Sequence, residues 1–267
     1  MNRKHFFAPK AGGWNIVSRD LRAHRPLLLL LDYDGTIVPI KSRPELAALP
    51  PHKRNLIETL SECPGIRVGF VTGRSLTDIW GMVRLENIIY IANHGLQIQA
   101  GKLSWIHPRA KRTAHLLSAV GQNLKEVLGQ VKGVEIENKV LTLSIHYRNM
   151  KSWSVARLKE SINKLLQPRQ RELKLSGGKK VIEIRPNIPW DKGVGVQKIV
   201  EMLKYQKPPL KIFLGDDITD EDAFRVLKKD GIGIKVGKSS KTEARYYLRN
   251  PKEVFEFLKL MEKSLVN

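Results

Sequence analysis

The most constraining feature of the sequence is an uninterrupted run of five leucines, Leu27 to Leu31, followed directly by the segment Asp-Tyr-Asp-Gly-Thr at 32–36. A run of this length suits a strand buried on both faces of a parallel sheet and is far too short to cross a membrane. Strand alternation would point the carboxylates of Asp32 and Asp34 to the same side. Crowding two anions costs free energy unless a cation or an anionic reaction partner is present. We therefore expect chemistry at this strand end, although Asp and Gly are also ordinary turn formers.

Two further segments complement this strand end in order along the chain. Residues 66–71 form a second short apolar run, and Thr72 follows it with a hydroxyl group and backbone N–H groups suited to holding a phosphate oxygen. Lys192 precedes an amphipathic helical pattern, where a lysine in the first turn is poorly placed against the helix dipole unless an anion lies nearby. Taken alone, Thr72 also fits an ordinary strand-to-helix turn and Lys192 a solvated lysine.

A second acidic strand end follows near residue 215. Residues 210–214 predict a buried strand, and five acids then occur within residues 216–222, in a chain whose formal net charge is +21. Capping and the helix dipole explain some of these acids, but not Asp216 and Asp217, which stand before the predicted helix begins. Carboxylate oxygens suit Mg²⁺, so two acidic strand ends far apart in sequence suggest one shared metal ion.

The ordered set of these motifs resembles the four motifs of the haloacid dehalogenase superfamily of phosphoryl-transfer enzymes. The sequences of the extended motifs are similar to those of trehalose-6-phosphate phosphatases, and the similarity extends from about residue 27 onward. It is carried by residues 32–39, 71–75, 93–95, 183–186 and 215–224. Two departures are modest: Asn93 stands where many relatives carry an acid, and Ile37 replaces a common leucine.

The resemblance implies a role for each motif residue. Asp32 would be the nucleophile that forms an aspartyl phosphate, and Asp34 would protonate the departing sugar oxygen and later activate water. Thr72 and Lys192 would bind phosphoryl oxygens. The implied cofactor is Mg²⁺. Its implied direct ligands are Asp32, the backbone carbonyl of Asp34, and Asp216. Asp220 would belong to the metal site by ordering Lys192 or a metal-bound water. Asp217 is a candidate for a contact outside the direct ligands.

The alternation of apolar strands and helical patterns predicts an α/β fold, and the resemblance implies a Rossmann-like parallel-sheet core with an inserted α+β cap. We expect the core in residues 1–106 and 185–267, with strand-then-helix repeats over 27–99 and 185–236, and the substrate-specificity cap in 107–184. Residues 1–24 carry no motif and suit a loose lead-in or an edge helix. The predicted buried helix positions are Val120, Leu124, Val127 and Val131; Val155, Leu158, Ile162 and Leu165; and Val254, Phe255, Leu258 and Met261.

The predicted cap strands have one apolar and one polar face. Alternation separates Leu143 and Ile145 from Ser144 and His146. The pattern alone also fits an antiparallel sheet with one solvated side. The resemblance implies that substrate contacts come from the cap and from two core loops. The implied residues are Gly73, Arg74, Asn93, His94, Glu137, Lys139, His146, Arg148, Lys179, Glu183 and Arg185.

The positive charge of the chain leaves an alternative function open. Residues 107–180 contain 16 Lys and Arg against 5 Glu, a net charge of +11. Such a surface would suit nucleic acid, making the chain a basic binding protein with a phosphatase-like core. Nucleic acid is nevertheless disfavoured as a partner, because no recognised binding motif occurs and aromatic residues are not interleaved with the basic ones. Focusing an anionic sugar phosphate explains the sign of the charge equally well.

Substrate, partner and compartment are less constrained by the sequence. Trehalose 6-phosphate is the substrate that the resemblance favours, and sucrose 6-phosphate or glucosylglycerol phosphate are the alternatives. A functional pairing with a trehalose-6-phosphate synthase is also implied. Cys63 is the single cysteine, so no intrachain disulfide forms. Without an apolar leader or spanning segment we expect neither a signal peptide nor a membrane contact, and a cytoplasmic protein.

Overall fold

The structure is a computed structural model that describes residues 4–7, 12–23, 26–178, 180–239 and 241–266. The chain divides into two compact units, which we call the core unit (Met1–Trp105 with Trp190–Asn267) and the inserted unit (Ile106–Pro189). Among the described residues, no helix has both the length and the apolar character needed to cross a membrane.

The first part of the core unit alternates strands with helices and ends in a short antiparallel excursion. Its elements are β1 (Lys4–His5), α1 (Gly13–Arg22), β2 (Leu27–Leu31), α2 (Pro51–Glu62), β3 (Ile66–Val71), α3 (Leu76–Val83), β4 (Ile89–Ala92), β5 (Gln97–Ala100) and β6 (Leu103–Ile106). Ser75 begins α3 as its N-cap, because its hydroxyl oxygen accepts a hydrogen bond from the Asp78 backbone N–H.

The inserted unit contains a helix, two strands, a second helix and two further strands, in that order. Its elements are α4 (Pro108–Leu128), β7 (Glu135–Asn138), β8 (Leu143–His146), α5 (Val155–Leu166), β9 (Leu173–Gly178) and β10 (Val181–Pro186). The four strands form one antiparallel sheet in the order β7-β8-β10-β9. Both helices contribute to one apolar cluster with Leu143, Ile145, Ile182 and Ile184 of the sheet.

The chain then completes the core unit. The remaining elements are α6 (Lys192–Leu203), β11 (Leu210–Gly215), α7 (Glu221–Leu227), β12 (Gly231–Val236), β13 (Tyr246–Leu248) and α8 (Pro251–Val266). The nine core strands form one sheet in the order β1-β13-β12-β11-β2-β3-β4-β5-β6. The pairs from β1 to β4 are parallel. The prediction of an α/β fold with a mainly parallel core sheet is therefore confirmed.

The leucine run is the central strand of this sheet and is buried on both faces. Leu27, Leu29 and Leu31 belong to one apolar cluster, whereas Leu28 and Leu30 belong to another on the opposite face. None of the five exposes more than 1% of its surface. Burial of both faces explains why the strand is continuously apolar rather than alternating.

Two features of the core sheet differ from the prediction. The strand-then-helix repeat does not continue to residue 99, because β5 returns antiparallel to β4. Only residues 93–96 join these strands, which is too short for a parallel crossover. At the other edge, the N-terminal segment contains α1 and also β1, which pairs in parallel with β13.

Several buried helix positions also differ from the prediction. The predicted positions that are exposed or only partly buried are Val127, Val155, Leu165 and Phe255. Leu128, Leu166 and Phe257 are buried instead. Spacings of three and four both fit a helix of 3.6 residues per turn, so packing against the sheet decides which neighbour faces inward.

Candidate active site

The candidate site lies at the carboxyl edge of the core sheet, where β11, β2 and β3 are neighbours. Asp32 follows β2, and its backbone N–H donates a 2.8 Å hydrogen bond to the carbonyl of Leu214 in β11. Asp216 follows β11, and Thr72 follows β3. Because the three strands are parallel, their carboxyl ends bring these residues to one edge, where α/β sheets usually bind ligands.

Lys192, the first residue of α6, lies between two carboxylates. Its Nζ donates to Asp32 Oδ1 at 2.8 Å and to Asp220 Oδ1 at 2.7 Å. Asp191 caps the helix, since its Oδ1 accepts a hydrogen bond of 2.9 Å from the Val194 backbone N–H. The negative charges of the two carboxylates offset the unfavourable interaction between the ammonium group and the positive end of the helix dipole.

The acidic residues form a compact cluster with the ligand chemistry of a hard cation. Asp32, Asp216 and Asp220 each offer a carboxylate oxygen, and these oxygens lie within 4.8 Å of one another. When all three carboxylates are ionised, they and the ammonium of Lys192 carry an excess of two negative charges, which a divalent cation would balance. Oxygen ligands of this kind suit Mg²⁺. The cluster therefore fits a divalent metal site, and Asp220 rather than Asp217 supplies its third carboxylate.

Burial and charge act together on the ionisable groups of this cluster. Burial raises the pKa of Asp32 well above its ordinary value; Lys192 opposes this, and the neighbouring carboxylates of Asp220 and Asp216 add to it. Burial alone would lower the pKa of Lys192, but the carboxylates of Asp220 and Asp32 outweigh it and hold the pKa above its ordinary value. Lys192 is therefore a permanent positive charge in the site.

Two glycines allow the acidic side chains to approach the backbone. Gly35 has φ +85°, and a Cβ atom there would lie 2.2 Å from Asp216 Oδ2. A Cβ atom at Gly215 would lie 2.4 Å from the carboxyl carbon of Asp220. Any larger residue would displace a carboxylate of the cluster. Asp220 is held further because its Oδ2 accepts a 2.8 Å hydrogen bond from the Asp217 backbone N–H.

Asp34 is not part of the carboxylate cluster and instead pairs with Arg74. Arg74 Nε and Nη2 each donate to one oxygen of Asp34, both at 2.6 Å. The Asp34 side chain is 38% exposed, whereas that of Arg74 is 8% exposed. The expected metal contact of Asp34, through its backbone carbonyl, stays a prediction.

The loop after β4 is hydrogen-bonded to the loop after β3. The backbone N–H of Asn93 donates to the Arg74 carbonyl at 2.8 Å, and that of His94 donates to the Thr72 carbonyl at 2.9 Å. The His94 ring lies so close to Gly73 that a Cβ atom there would meet its Nε2 at 2.5 Å. Asn93 and His94 both have positive φ, at +49° and +56°. These four predicted site residues thus lie side by side with Arg74.

A second polar cluster lies on the inserted sheet, on the face opposite its helices. Glu137, Ser144 and Glu183 occupy matched positions on β7, β8 and β10. Glu183 Oε1 accepts hydrogen bonds from Ser144 Oγ at 3.2 Å and from Lys139 Nζ at 3.4 Å. His146 Nε2 lies 2.9 Å from Glu137 Oε2. The alternation predicted from the sequence therefore brings four of the predicted sugar-binding residues together.

The other predicted residues of the inserted unit are Arg148, Lys179 and Arg185. Arg185 is buried on β10 opposite Lys174 of β9. Arg148 follows β8 and is exposed. Lys179 lies outside the described residues.

Three residues to which the sequence assigns no role contact predicted site residues or the acidic segment 216–222. Ser144 hydrogen-bonds Glu183, and its place on the polar face of β8 was the available signal. Lys235, buried near the end of β12, donates to the Asp217 carbonyl at 2.9 Å and lies 3.3 Å from Glu221 Oε1. The ring of Tyr33 lies beneath the Arg74 guanidinium, 5.3 Å from centroid to Cζ. No sequence signal marks Lys235 or Tyr33, because both contacts depend on the tertiary fold.

Comparison with known proteins identifies the family. The trehalose-phosphatase family model matches residues 30–252. The chain is 33% identical over 265 residues to a probable trehalose-phosphate phosphatase 3 of Oryza sativa subsp. japonica, covering 91% of this chain and 71% of the relative.

Solved structures give the same result. A crystal structure described as a trehalose-6-phosphate phosphatase related protein superposes with a TM-score of 0.78 at 27% identity, covering 88% of this chain and 97% of that one. The C-terminal domain of the C. albicans trehalose-6-phosphate phosphatase superposes with a TM-score of 0.79 over 98% of both chains, and at 23% identity it supports the fold alone. The chain therefore belongs to the trehalose-phosphatase family.

Proposed function

We propose that the protein is a Mg²⁺-dependent phosphatase that converts trehalose 6-phosphate and water into trehalose and inorganic phosphate. The observation that carries the proposal is the buried Lys192, bridging Asp32 and Asp220 beside Asp216. This arrangement supplies a carboxylate nucleophile, a fixed cation and a metal-binding cluster at one strand edge. Family membership adds the substrate class, a sugar phosphate.

Asp32 acts first as the nucleophile. One of its carboxylate oxygens forms a bond to phosphorus, the bond from phosphorus to the sugar oxygen breaks, and Asp34 gives that oxygen a proton. Asp34 next takes a proton from a water molecule, whose oxygen attacks phosphorus and releases inorganic phosphate from Asp32. The two steps together consume one water molecule and return both carboxyl groups to their starting states.

The residues around Asp32 hold the phosphoryl group. Lys192 and Thr72 bind phosphoryl oxygens and so favour the transition state, in which negative charge on these oxygens must be accommodated. Asp220 acts as a positioning residue for Lys192, through the 2.7 Å hydrogen bond between them. Asp32, Asp216 and Asp220 would hold Mg²⁺, together with the backbone carbonyl of Asp34. Bound there, Mg²⁺ supplies electrostatic neutralisation of the phosphoryl oxygens.

The inserted unit is proposed as the substrate-specificity cap. Glu137, Lys139 and Glu183 present charged donors and acceptors that suit the hydroxyl groups of a sugar. Lys139 and Glu183 are buried, at 8% and 7% exposure, so their hydrogen bonds are poorly screened by solvent. The remaining proposed substrate contacts are Gly73, Asn93, His94, His146, Arg148, Lys179 and Arg185.

Phosphate release from a panel of esters tests the proposal. The panel contains trehalose 6-phosphate, sucrose 6-phosphate, glucosylglycerol phosphate and a small aryl phosphate, each with Mg²⁺ and with EDTA. We expect the highest kcat/KM for trehalose 6-phosphate and loss of turnover with EDTA. A preference for another ester would change the proposed substrate but not the proposed phosphatase reaction. Absence of turnover, together with salt-sensitive binding of RNA or DNA, would favour the nucleic-acid-binding alternative.

A further inference from the structure

Arg74 holds both carboxylate oxygens of Asp34 in a fork. Its Nε donates to Oδ2 and its Nη2 to Oδ1, each at 2.6 Å. Two parallel hydrogen bonds from a charged guanidinium fix the plane of the carboxyl group as well as its distance. Asp34 needs such a restraint, because its side chain is 38% exposed and the following Gly35 has φ +85°.

Arg74 is itself held on several sides. Its Nη2 also donates to the Pro44 carbonyl at 3.0 Å, and its guanidinium lies over the ring of Tyr33. Its backbone N–H donates to Thr72 Oγ1 at 3.1 Å, and its carbonyl accepts from the Asn93 backbone N–H at 2.8 Å. The Tyr33 hydroxyl donates to the Ala47 carbonyl at 2.6 Å and so fixes the ring. Because Arg74 is held in place, its two hydrogen bonds can also fix the orientation of the Asp34 side chain.

We propose that Arg74 is a positioning residue that orients Asp34 for proton transfer, rather than a residue that acts by binding the substrate. The inference rests on the proposed function, because it assigns the proton transfers to Asp34. The fork occupies about two of the roughly four lone-pair directions of a carboxylate, so one direction on each oxygen remains for the reacting proton. Three of the five guanidinium N–H groups are directed at Asp34 and Pro44, which leaves Arg74 few donors for a substrate.

The leaving group of the ester separates the two roles. A sugar or alkyl oxygen needs a proton as it departs, whereas p-nitrophenolate departs without one. Misorienting Asp34 should therefore slow only the esters with poor leaving groups. Loss of a direct contact to the phosphoryl group or a general loss of structure should slow all esters alike.

The test is single-turnover release of the leaving group from a series of phosphate monoesters by wild type and Arg74→Lys. The lysine keeps the charge but loses the fork. We expect about a ten- to hundredfold slower release of the alkyl leaving groups and less than about a threefold change for p-nitrophenyl phosphate. Arg245→Lys is the matched control, because Arg245 also lies over a tyrosine ring, at 5.4 Å, and precedes β13 at the amino edge of the parallel strands, opposite the edge that holds the site. It should leave every rate unchanged.

A double-mutant cycle with Asp34→Asn completes the design. If Arg74 acts through Asp34, Arg74→Lys should change the release of the alkyl leaving groups by the Asp34→Asn protein by less than about twofold, although it slows their release by the wild type about ten- to hundredfold. An equal loss on all esters, or a full effect of Arg74→Lys in the Asp34→Asn protein, would overturn the inference. Should Arg74→Lys lose cooperative thermal unfolding, Arg74→Gln replaces it in both measurements. If wild type hydrolyses none of the esters, the proposed function fails instead.

Discussion

The ammonium group of Lys192 lies 2.8 Å from the carboxylate of Asp32, although 160 residues separate them in the chain. Asp32 ends the central strand, and Lys192 begins the helix that follows the inserted unit. The contact therefore joins the two sequence segments of the core unit at the candidate site. Because Lys192 also contacts Asp220, replacing either aspartate would still leave the ammonium group paired with the carboxylate of the other.

Replacing the proposed nucleophile should abolish turnover without unfolding the protein. The amide of Asp32→Asn is nearly isosteric with the carboxylate but cannot form the acyl phosphate, so kcat should fall by at least about a thousandfold. Phosphate release measures the loss, circular dichroism checks the fold, and mass spectrometry excludes deamidation. Retention of more than a few per cent of wild-type activity would remove Asp32 from this role.

The metal assignment predicts different effects for two acids only six positions apart. Asp216→Ala removes one of the three clustered carboxylates and should raise the Mg²⁺ concentration for half-maximal activity at least about tenfold. Asp222→Ala is the control, because Asp222 pairs with Arg225 on α7 at 3.0 Å. It should leave the Mg²⁺ titration nearly unchanged. Identical titrations for the two variants would contradict the roles assigned within the acidic segment.

Much of the fold was predictable because its signals are local. The leucine run at Leu27–Leu31 is short and continuously apolar, which is typical of a strand buried on both faces. The carboxyl ends of neighbouring parallel strands lie at the same edge of a sheet, so the sequence predicts Asp32, Thr72 and Asp216 at one edge. Period-two alternation likewise placed Ser144 and Glu183 on one face of the inserted sheet.

The remaining features depend on contacts that no local pattern encodes. The fork between Arg74 and Asp34 joins two loops 40 residues apart, and Lys235 contacts a carbonyl 18 residues away. From its place in a motif, the sequence therefore predicts that Arg74 contacts the substrate rather than Asp34. The antiparallel return of β5 followed from the shortness of the loop at 93–96, which the repeat pattern obscured.

Lys235 should support the acidic loop from beneath. Its Nζ is buried and hydrogen-bonds the Asp217 carbonyl, so Lys235→Met should lower the free energy of unfolding by about 1.5–3 kcal/mol and weaken Mg²⁺ activation. Lys228→Met is the control, because Lys228 is 62% exposed and its ion pair with Glu243 contributes little. Chemical denaturation and a Mg²⁺ titration measure both variants. Equal stabilities would show that Lys235 does not hold the loop.

Tyr90 should make the protein less stable in alkaline solution. Burial raises the pKa of its phenol to about 12, above the value near 10 expected in the unfolded chain. The neutral phenol therefore contributes its full stabilisation below about pH 10, and this is lost as the pH rises through about 12. Tyr90→Phe should flatten that part of the curve of unfolding free energy against pH. An unchanged slope between pH 10 and 12 would contradict the assignment.

Truncating Glu183 tests the inserted unit and the substrate together. Glu183→Ala removes the acceptor shared by Lys139 and Ser144, so trehalose 6-phosphate hydrolysis should fall roughly ten- to hundredfold, as expected for a buried hydrogen bond to a charged group worth about 1.5–3 kcal/mol. A small aryl phosphate has no sugar for Glu183 to contact, so its rate of hydrolysis should stay unchanged. Glu160→Ala, on the exposed face of α5, is the control that changes the same residue type in the same unit.

The test of Glu183 depends on whether activity is lost on the sugar phosphate alone or on both substrates. Contacts to a remote part of a substrate help position the reacting phosphorus, so their loss should lower kcat as well as raise KM for the sugar phosphate alone. Equal loss on both substrates would mean that Glu183 stabilises the sheet through Lys139 and Ser144. The polar face of the inserted sheet would then have a structural role, and the sugar specificity would have to come from other residues.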